Sequence, residues 1–416
     1  MRMKYAVRNR PLFVIVLLVA IMQPSQLFAF YEQQSDVFYL DARGLVRGLI
    51  IATQYPDDTT LYPEQHSSGA AAIARLMING DIGEQWRFEI NAYQTYIPSA
   101  LATSQGNSGL PTSAERSGQF ETSFSDQDYA HLAIDRLALS WSKQNIDLTL
   151  GRQAINLATT FYFTPNDFFA PFSAQTFYRV YKPGVDALRA EVGLGEFSQL
   201  SLISVLGYHA DVASDTGWSN KPDQDRSSHL IRWSNAIGNI ESTWIAGRVV
   251  DKDIAGAALQ GELFEWLGIR FEGHYAKPQA DHLTDYRTFS LGFEHRWESS
   301  FEVRWELFYN GQGSENVTDY ATVAQTASSQ YLARRYSALG ASYEITPLLN
   351  GQAVVISNID DDSHLLSFNT TYSLSDESEW VVNFVTPLGE KPVGGVLNSE
   401  FGSYPSSANA EVRYFF

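Results

Sequence analysis

Cysteine is absent from the sequence, and basic residues are scarce beside acidic ones. Without cysteine, the chain has no disulfide bond, no thiolate metal site and no lipoprotein attachment residue. The chain carries 29 Lys and Arg against 47 Asp and Glu, which gives a formal net charge of −18. Because nucleic-acid binding needs a basic surface, this charge argues against nucleic acid as a partner.

Long apolar runs are also missing, except near the N-terminus. A basic start is followed by a short apolar run over residues 11–22 and by a plausible cleavage site at Leu27, Phe28 and Ala29. The run is too short for a comfortable membrane-spanning helix, so residues 1–29 are predicted to be a signal peptide. The mature domain is predicted to be residues 30–416, and it contains no apolar run long enough for a helical span.

Aromatic residues are abundant, and the last strand-like segment shows how they are used. Ala410, Val412, Tyr414 and Phe416 alternate with polar residues, including Glu411 and Arg413. This period of two is typical of a strand whose two faces meet different surroundings. A C-terminal Phe on such a strand resembles the closing strand of bacterial outer-membrane barrels, which the barrel assembly machinery recognises. An ordinary edge strand of a soluble sheet is the alternative.

Segments with this alternation recur along the chain. We predict about 18 of them, from 38–54 through 227–237 to 408–416, each with roughly the length that a tilted membrane strand needs. Short connections, such as 142–144, alternate with long ones, such as 98–127 and 153–183. This alternation is typical of outer-membrane barrels with short periplasmic turns and long external loops. The sequence therefore predicts an all-β, transmembrane, antiparallel up-and-down β-barrel in the outer membrane; a count of 16 strands is the alternative.

The two faces of the predicted strands differ in polarity. In 300–311, Trp305 and Leu307 share a face opposite the charged residues, which must point into a water-filled lumen because lipid would penalise them. In 128–142, Asp135 and Leu137 share a face, which indicates a β-bulge or a wrong register. Aromatic residues near strand ends predict interfacial girdles, although strand propensity alone also favours them. These residues are Trp86, Trp141, Trp266, Trp297, Trp380, Tyr208 and Tyr275.

The third long connection, residues 153–183, is unusually apolar. It holds six Phe between positions 161 and 177, and Pro165, Pro171 and Pro183 restrict its conformation. A solvated external loop would not normally carry so much apolar surface. We therefore predict that this third external loop folds inward and constricts the lumen. Packing on the outer rim or on a neighbouring protomer, and an aromatic platform that stacks a substrate, are the alternatives.

This connection also carries a family resemblance. The Gly-Arg-Gln that starts at position 151, the aromatic-rich run through Pro165 and Asp167, and the later Lys-Pro-Gly-Val-Asp-Ala at 182–187 resemble porin-like barrels, including the alginate-export-like group. The resemblance implies an 18-stranded barrel with an arginine-rich conduit for an acidic polysaccharide. This chain departs from that pattern because its inward-facing candidates mix Arg with Glu.

The predicted lumen-lining or constriction residues are Arg152, Phe163, Asp167, Phe168, Arg179, Arg189, Glu191, Arg232, Arg270, Glu272, Glu302, Arg304 and Glu306. Most of the strand arginines have a Glu two residues away on the same face. A wall of compensating ion pairs is one interpretation, and a selective anion ladder is the other.

These features predict a porin or channel that passes small polar solutes, or exports a polymer, by passive diffusion through a charged lumen. A non-conducting barrel for assembly or surface attachment and an outer-membrane hydrolase are the alternatives. No cofactor or metal and no enzymatic activity are expected. The expected partners are outer-membrane lipid and lipopolysaccharide, the barrel assembly machinery, an unidentified permeant and a possible second copy of the chain.

Overall fold

The structure is a computed structural model that describes residues 31–97, 114–123, 129–211, 214, 217–280, 283–326 and 329–416. The predicted signal peptide and residues 98–113 and 124–128 of the second long connection lie outside the described residues. Among the described residues, no helix has the length and apolar character needed to cross a membrane.

Twenty strands make up almost all of the regular structure. The chain begins with β1 (Tyr31–Gln34), β2 (Phe38–Gln54), β3 (His66–Ile82), β4 (Trp86–Ile97), β5 (Glu121–Ser123), β6 (Tyr129–Lys143) and β7 (Ile146–Gln153). It continues with β8 (Val185–Gly193), β9 (Ser198–Ala210), β10 (Trp218–Ile237), β11 (Ile240–Val249), β12 (Lys252–Leu263), β13 (Leu267–Pro278) and β14 (Tyr286–Arg296). It ends with β15 (Glu302–Asn310), β16 (Arg335–Thr346), β17 (Leu349–Asn358), β18 (Ser363–Ser375), β19 (Ser378–Leu388) and β20 (Ser406–Phe415). A short helix, α1 (Tyr320–Thr326), and three single turns of 3₁₀ helix, Gly118–Phe120, Val317–Asp319 and Phe401–Ser403, lie in the connections.

The strands close into a ring. Each long strand pairs antiparallel with its neighbours in sequence, and β2 pairs with β20 from Leu45↔Phe415 to Gln54↔Ser406. Strands β1 and β5 have only four and three residues, so 20 − 2 = 18 strands form the wall. The predicted 18-stranded up-and-down barrel is thereby confirmed. Closure pairs every edge, which a membrane requires because lipid offers no hydrogen-bond partners.

The two faces of the wall follow the predicted alternation. In β15, Trp305 is exposed on the outside, whereas Glu306 is fully buried on the inside. Exposed Trp, Leu, Ile and Phe recur on the outward face of nearly every strand. An apolar outer face and a polar interior are what a barrel in lipid needs.

The predicted irregularity in β6 is a β-bulge. The pairing of β4 with β6 shifts between Asn91↔Arg136 and Ala92↔Ile134, so Asp135 is the extra residue. The bulge turns Asp135 into the interior while Leu137 stays outside. The predicted start of one strand was wrong. A strand was predicted over 227–237, whereas β10 begins at Trp218. Two register shifts and Pro222 interrupt the alternation there.

Connection lengths assign the two ends of the barrel. Residues 144–145, 238–239 and 376–377 are examples of tight turns at one end, and the connections after β7 and β15 are long ones at the other. The C-terminal Phe416 lies at the short-turn end, where its amide donates to the Gly44 carbonyl at 3.0 Å. Its ring occupies the space above Gly44, where a Cβ would come within 2.1 Å of ring carbon.

Tryptophans form a partial girdle at the short-turn end. Trp86, Trp266, Trp297 and Trp380 are exposed there, and Trp141 pairs with Trp86 across the sheet. Amphipathic rings prefer the headgroup depth of a bilayer. Tyr208 does not belong to a girdle, because it is buried inside and its hydroxyl donates to Asp186 at 2.9 Å.

Candidate functional site

The connection between β7 and β8, here called the inner segment (residues 154–184), lies against the inward face of β15. The Glu306 carboxylate accepts the backbone N–H groups of Phe161 at 2.9 Å, Tyr162 at 3.2 Å and Phe163 at 2.6 Å. The Ser290 hydroxyl donates to the same carboxylate at 2.8 Å. Three consecutive amides therefore converge on one charge, an arrangement that binds anionic oxygen strongly.

A second carboxylate repeats this arrangement on β13. Glu272 accepts the backbone N–H groups of Thr159, of Thr160 at 2.9 Å and of Asn166 at 2.9 Å. Glu272 and Glu306 are both fully buried. Both were predicted to lie on the inward face, and in the structure their oxygens bind the inner segment rather than facing a permeant.

Arg179 organises the inner segment from within. Its guanidinium donates to the backbone carbonyls of Thr176 at 2.7 Å, Ala174 at 2.9 Å, Ser173 at 3.3 Å and Phe161. Burial lowers the pKa of Arg179. The fork of five guanidinium donors lets one side chain bind several carbonyls of an irregular backbone. The cation thus fixes the fold of the segment.

The predicted constriction aromatics pack against the wall. Phe163 is almost completely buried and stacks on Phe308 with 4.7 Å between ring centroids, while Tyr331 meets its edge at 5.2 Å. Phe168 is half-buried, with its ring centroid 5.1 Å from that of His274. Because Phe163 is enclosed by other rings, it does not offer a face on which a substrate could stack.

Asp167 forms a buried ion pair with Lys182 inside the same segment. Lys182 also donates to the Ala170 carbonyl at 3.2 Å. Burial raises the pKa of Asp167 and lowers the pKa of Lys182, while the charge of each partner opposes the effect. This pair joins the middle of the inner segment to its end.

Aromatic residues at the end of the inner segment contact the opposite part of the wall. The guanidinium carbons of Arg47 and Arg413 lie 4.8 and 4.0 Å from the ring centroid of Tyr178. That of Arg75 lies 4.4 Å from the ring of Tyr181. Cation–π contacts of this kind are stabilising where water is excluded. The predicted site residues include neither of these two tyrosines and neither Arg47 nor Arg75, although the alternation along β2 and β3 puts both arginines inside.

Shared carboxylates hold these arginines in place. Glu411 binds Nε of Arg47 at 2.5 Å and Nε of Arg413 at 2.8 Å. The bulged Asp135 binds Arg75 at 3.0 Å. Each of these groups is nearly or fully buried, so hydrogen-bonded pairing is what makes their burial tolerable.

The two sequence motifs that flank the inner segment bind each other. Arg152 of the Gly-Arg-Gln motif pairs with Asp186 of the Gly-Val-Asp-Ala motif, at 2.8 Å from Nε and 3.1 Å from Nη2. Arg152 also donates to the carbonyls of Ser117 at 2.7 Å and Ile134 at 2.9 Å. Arg152 is therefore buried at the base of the segment and does not line open space.

Other predicted charges remain partly accessible and paired. Glu294 receives Arg270 at 3.2 Å and Arg304 at 3.8 Å, and Glu302 also binds Arg304. Both guanidinium groups lie over the ring of Phe161, at 4.2 and 4.3 Å from its centroid. The inner segment thus meets the accessible charges through one aromatic ring.

The remaining predicted charges lie on β8 and β10. Arg189 pairs with Glu191 at 3.2 Å, and Arg232 donates to the Thr243 hydroxyl at 3.3 Å. Compensated charges therefore prevail among the partly accessible predicted residues, which favours a wall of ion pairs over an anion ladder.

A cavity of about 220 Å³ separates part of the inner segment from the wall formed by β15, β16 and β17. Its polar lining includes Tyr162, Arg179, Glu302, Arg304 and Gln352. The Tyr162 hydroxyl lies directly over Gly340, where a Cβ would come within 1.7 Å. Within the described residues, no three His, Asp or Glu side chains are grouped closely enough to hold a metal ion.

Comparison with solved structures finds the same fold in other proteins. Acinetobacter baumannii OccAB3 matches 91% of this chain and 99% of its own at a TM-score of 0.59 and 12% identity. Pseudomonas aeruginosa OccK9 (OpdG) matches 91% and 98%, with a TM-score of 0.56 and 12% identity. A BenF-like porin from Pseudomonas fluorescens matches 91% and 98%, with a TM-score of 0.55 and 11% identity. No protein-family model matches the chain, and no curated protein matches its sequence.

Proposed function

We propose that the protein is a channel of the Gram-negative outer membrane that passes small polar solutes by passive diffusion. One observation carries this proposal: a closed barrel, apolar outside and polar inside, holds a segment that is anchored to opposite parts of its wall. The inner segment narrows the path, and the partly accessible ion pairs set the field that a solute meets. The role is transport rather than catalysis. The likeness to a porin fold supports it.

The anchoring of the inner segment supports a constriction. Glu272 and Glu306 hold its first half on β13 and β15. Tyr178 and Tyr181 hold its second half on the arginines of β2, β3 and β20. A chain that contacts both sides must cross the lumen, so it reduces the open cross-section. The predicted contacts with outer-membrane lipid, the assembly machinery or a second copy belong to this proposal.

The narrower resemblance to alginate-export-like barrels, and polymer export with it, stays a prediction. The mixed signs of the partly accessible charges suit small solutes better than a long acidic polymer, because each accessible arginine of β13 and β15 has a carboxylate beside it.

The test is single-channel recording of the refolded protein in a planar bilayer. Replacing residues 160–176 by a short Gly-Ser linker should give a larger conductance than the full chain. A matched replacement of residues 56–64, in the external connection between β2 and β3, serves as the control, and the heat-dependent mobility of barrels in gels verifies folding. Equal conductance of the full chain and the 160–176 variant would refute the constriction. A silent full chain with a conducting variant would show that the segment seals the barrel.

A further inference from the structure

The outer surface of the barrel carries an apolar groove that the channel role does not use. Its volume is about 610 Å³, which falls within the range of about 300–1,000 Å³ that ligand sites occupy. It crosses strands β10 to β14 on the face that would meet lipid. Conduction does not require a depression in the membrane-facing wall, so we expect the groove to bind another molecule.

Small residues form the floor of the groove. The strand register puts Ala246 beside Ala255 and Ala257 beside Gly273, all facing outward. On most strands the outward residues are Leu, Ile or aromatic residues, whose side chains fill the surface layer. Here the missing side chains leave a trough about three strands wide, which is roughly 10 Å at the usual strand spacing.

Large residues form the two walls. Trp233 and Trp244 are register partners on one side, and both are exposed. Phe289 and Tyr275 stand on the other side and are also exposed. Aromatic walls over an alkyl-sized trough provide a large contact area for a flexible apolar chain.

The groove opens at the long-loop end, where cationic residues form its rim. Arg287 is the second residue of β14 and Lys277 lies next to the end of β13; both are exposed. Within the part of the chain that the structure describes, neither makes a salt bridge. Two carboxylates lie nearby, and both have other partners: Tyr275 donates to Asp285, and Arg248 pairs at 3.1 Å with Asp253, the register partner of Lys277. An apolar trough with a cationic mouth matches an amphiphile with an anionic head.

We propose that the groove binds an acyl chain of a phosphorylated glycolipid of the outer leaflet, as in lipopolysaccharide, with a lipid phosphate on Lys277 and Arg287. The long-loop end faces the cell exterior in an outer-membrane barrel, so the rim lies at the depth of that leaflet's headgroups. A phosphomonoester accepts paired bonds from a guanidinium and carries more negative charge than the phosphodiester of a zwitterionic head, whose own ammonium group offsets it. The inference rests on the proposed outer-membrane location and does not depend on conduction.

A second depression on the barrel provides a contrast. It has a volume of about 510 Å³ and lies across β2, β3, β19 and β20. Its lining is mostly Ser, Thr and Ala, with Phe384 as its one aromatic residue and His66 as its one basic residue. It offers neither aromatic walls nor an Arg or Lys at its mouth. The same lipid should therefore prefer the β10–β14 groove.

The test is native mass spectrometry of the refolded full chain titrated with lipid A in detergent, with phosphatidylethanolamine as the comparison lipid. The groove variant Ala255→Leu/Ala257→Leu fills the floor, and the rim variant Lys277→Gln/Arg287→Gln removes the charges. Ala74→Leu, on an outward position of β3 nearly opposite, is the matched control. We expect one tightly held lipid A per chain, at least fivefold less in the groove and rim variants, and no loss in the control.

Three results would overturn the proposal. They are equal lipid A binding by all variants, equal retention of phosphatidylethanolamine and lipid A by the unsubstituted protein, and a dimer that the groove variant abolishes. The last would make a second copy of this chain the occupant. Planar-bilayer recording of the same samples distinguishes a failure of the lipid proposal from a failure of the channel proposal, because the groove lies outside the conducting path.

Discussion

Replacing Glu306 by Gln tests whether a single carboxylate holds the inner segment inside the barrel. The carboxylate accepts three backbone N–H groups and one hydroxyl. Glutamine keeps the shape but exchanges one acceptor oxygen for an NH₂ group, which then faces N–H donors. Hydrogen bonds to a charged group contribute about 1.5–3 kcal/mol each, and an unsatisfied buried donor costs about 1–3 kcal/mol.

The change should therefore weaken docking of the segment by about 3 kcal/mol if two donors lose their partner. A factor of ten corresponds to about 1.4 kcal/mol, so the undocked population should rise roughly 100-fold. The barrel itself should remain folded, because its closed ladder of backbone hydrogen bonds does not involve this side chain. The effect is local opening rather than global unfolding.

Hydrogen exchange read by mass spectrometry measures this opening at the amides of residues 161–163. We expect exchange about 100-fold faster in Glu306→Gln than in the unsubstituted protein, together with noisier and larger single-channel currents. Glu302→Gln is the matched control, since Glu302 lies on the same strand and inward face but binds Arg304 rather than the segment. Exchange within twofold of the unsubstituted protein in folded Glu306→Gln would refute the clamp.

Three further predictions concern other charges and the C-terminus. Glu294→Gln should shift the reversal potential in a KCl gradient toward that of chloride, because two arginines lose their partner; an unchanged potential would show that these charges do not meet the permeant. Burial raises the pKa of Glu400 from 4.5 to about 7, so the stability it contributes to the external loops is fully present below about pH 4.5 and is lost as pH rises through about 7. Hydrogen exchange in residues 389–405 should reflect this, and Glu400→Gln should flatten its dependence on pH, whereas the same pH profile in both proteins would contradict the assignment. Deleting Phe416 should slow assembly, because its ring packs over Gly44; normal levels of folded barrel in the outer membrane would count against this.

The barrel could be predicted from the sequence because its signals are local. Alternation with a period of two and the change between short and long connections are both readable along the chain. The β-bulge at Asp135 was also predictable, because the alternation of polar and apolar residues breaks there. Predictions failed where alternation stops being informative, as at the start of β10, where Pro222 and two register shifts obscure the strand.

The candidate site was only partly predictable, because a pattern assigns a residue to a face but not to a contact. Glu272 and Glu306 belong to the same class of inward acids as Glu294 and Glu302 in the sequence. In the structure the first two are sealed beneath the inner segment and the others remain partly accessible. The difference depends on where a distant segment lies, and strand periodicity carries no information about that.

The inner segment needs the buried charges because it has no regular secondary structure. A backbone that enters a barrel without a helix or strand brings N–H and C=O groups that must find partners. Glu272 and Glu306 supply acceptors for six of its amides, and Arg179 supplies donors for four of its carbonyls. Each ion replaces the hydrogen bonds that a helix would make for itself, so these charges act as structural partners of the backbone. Since the wall provides the acids and the segment provides the arginine, a change in the segment's path requires a change on β13 or β15 as well. The width of the channel is therefore determined jointly by a loop and by two strands that lie more than a hundred residues away in the sequence.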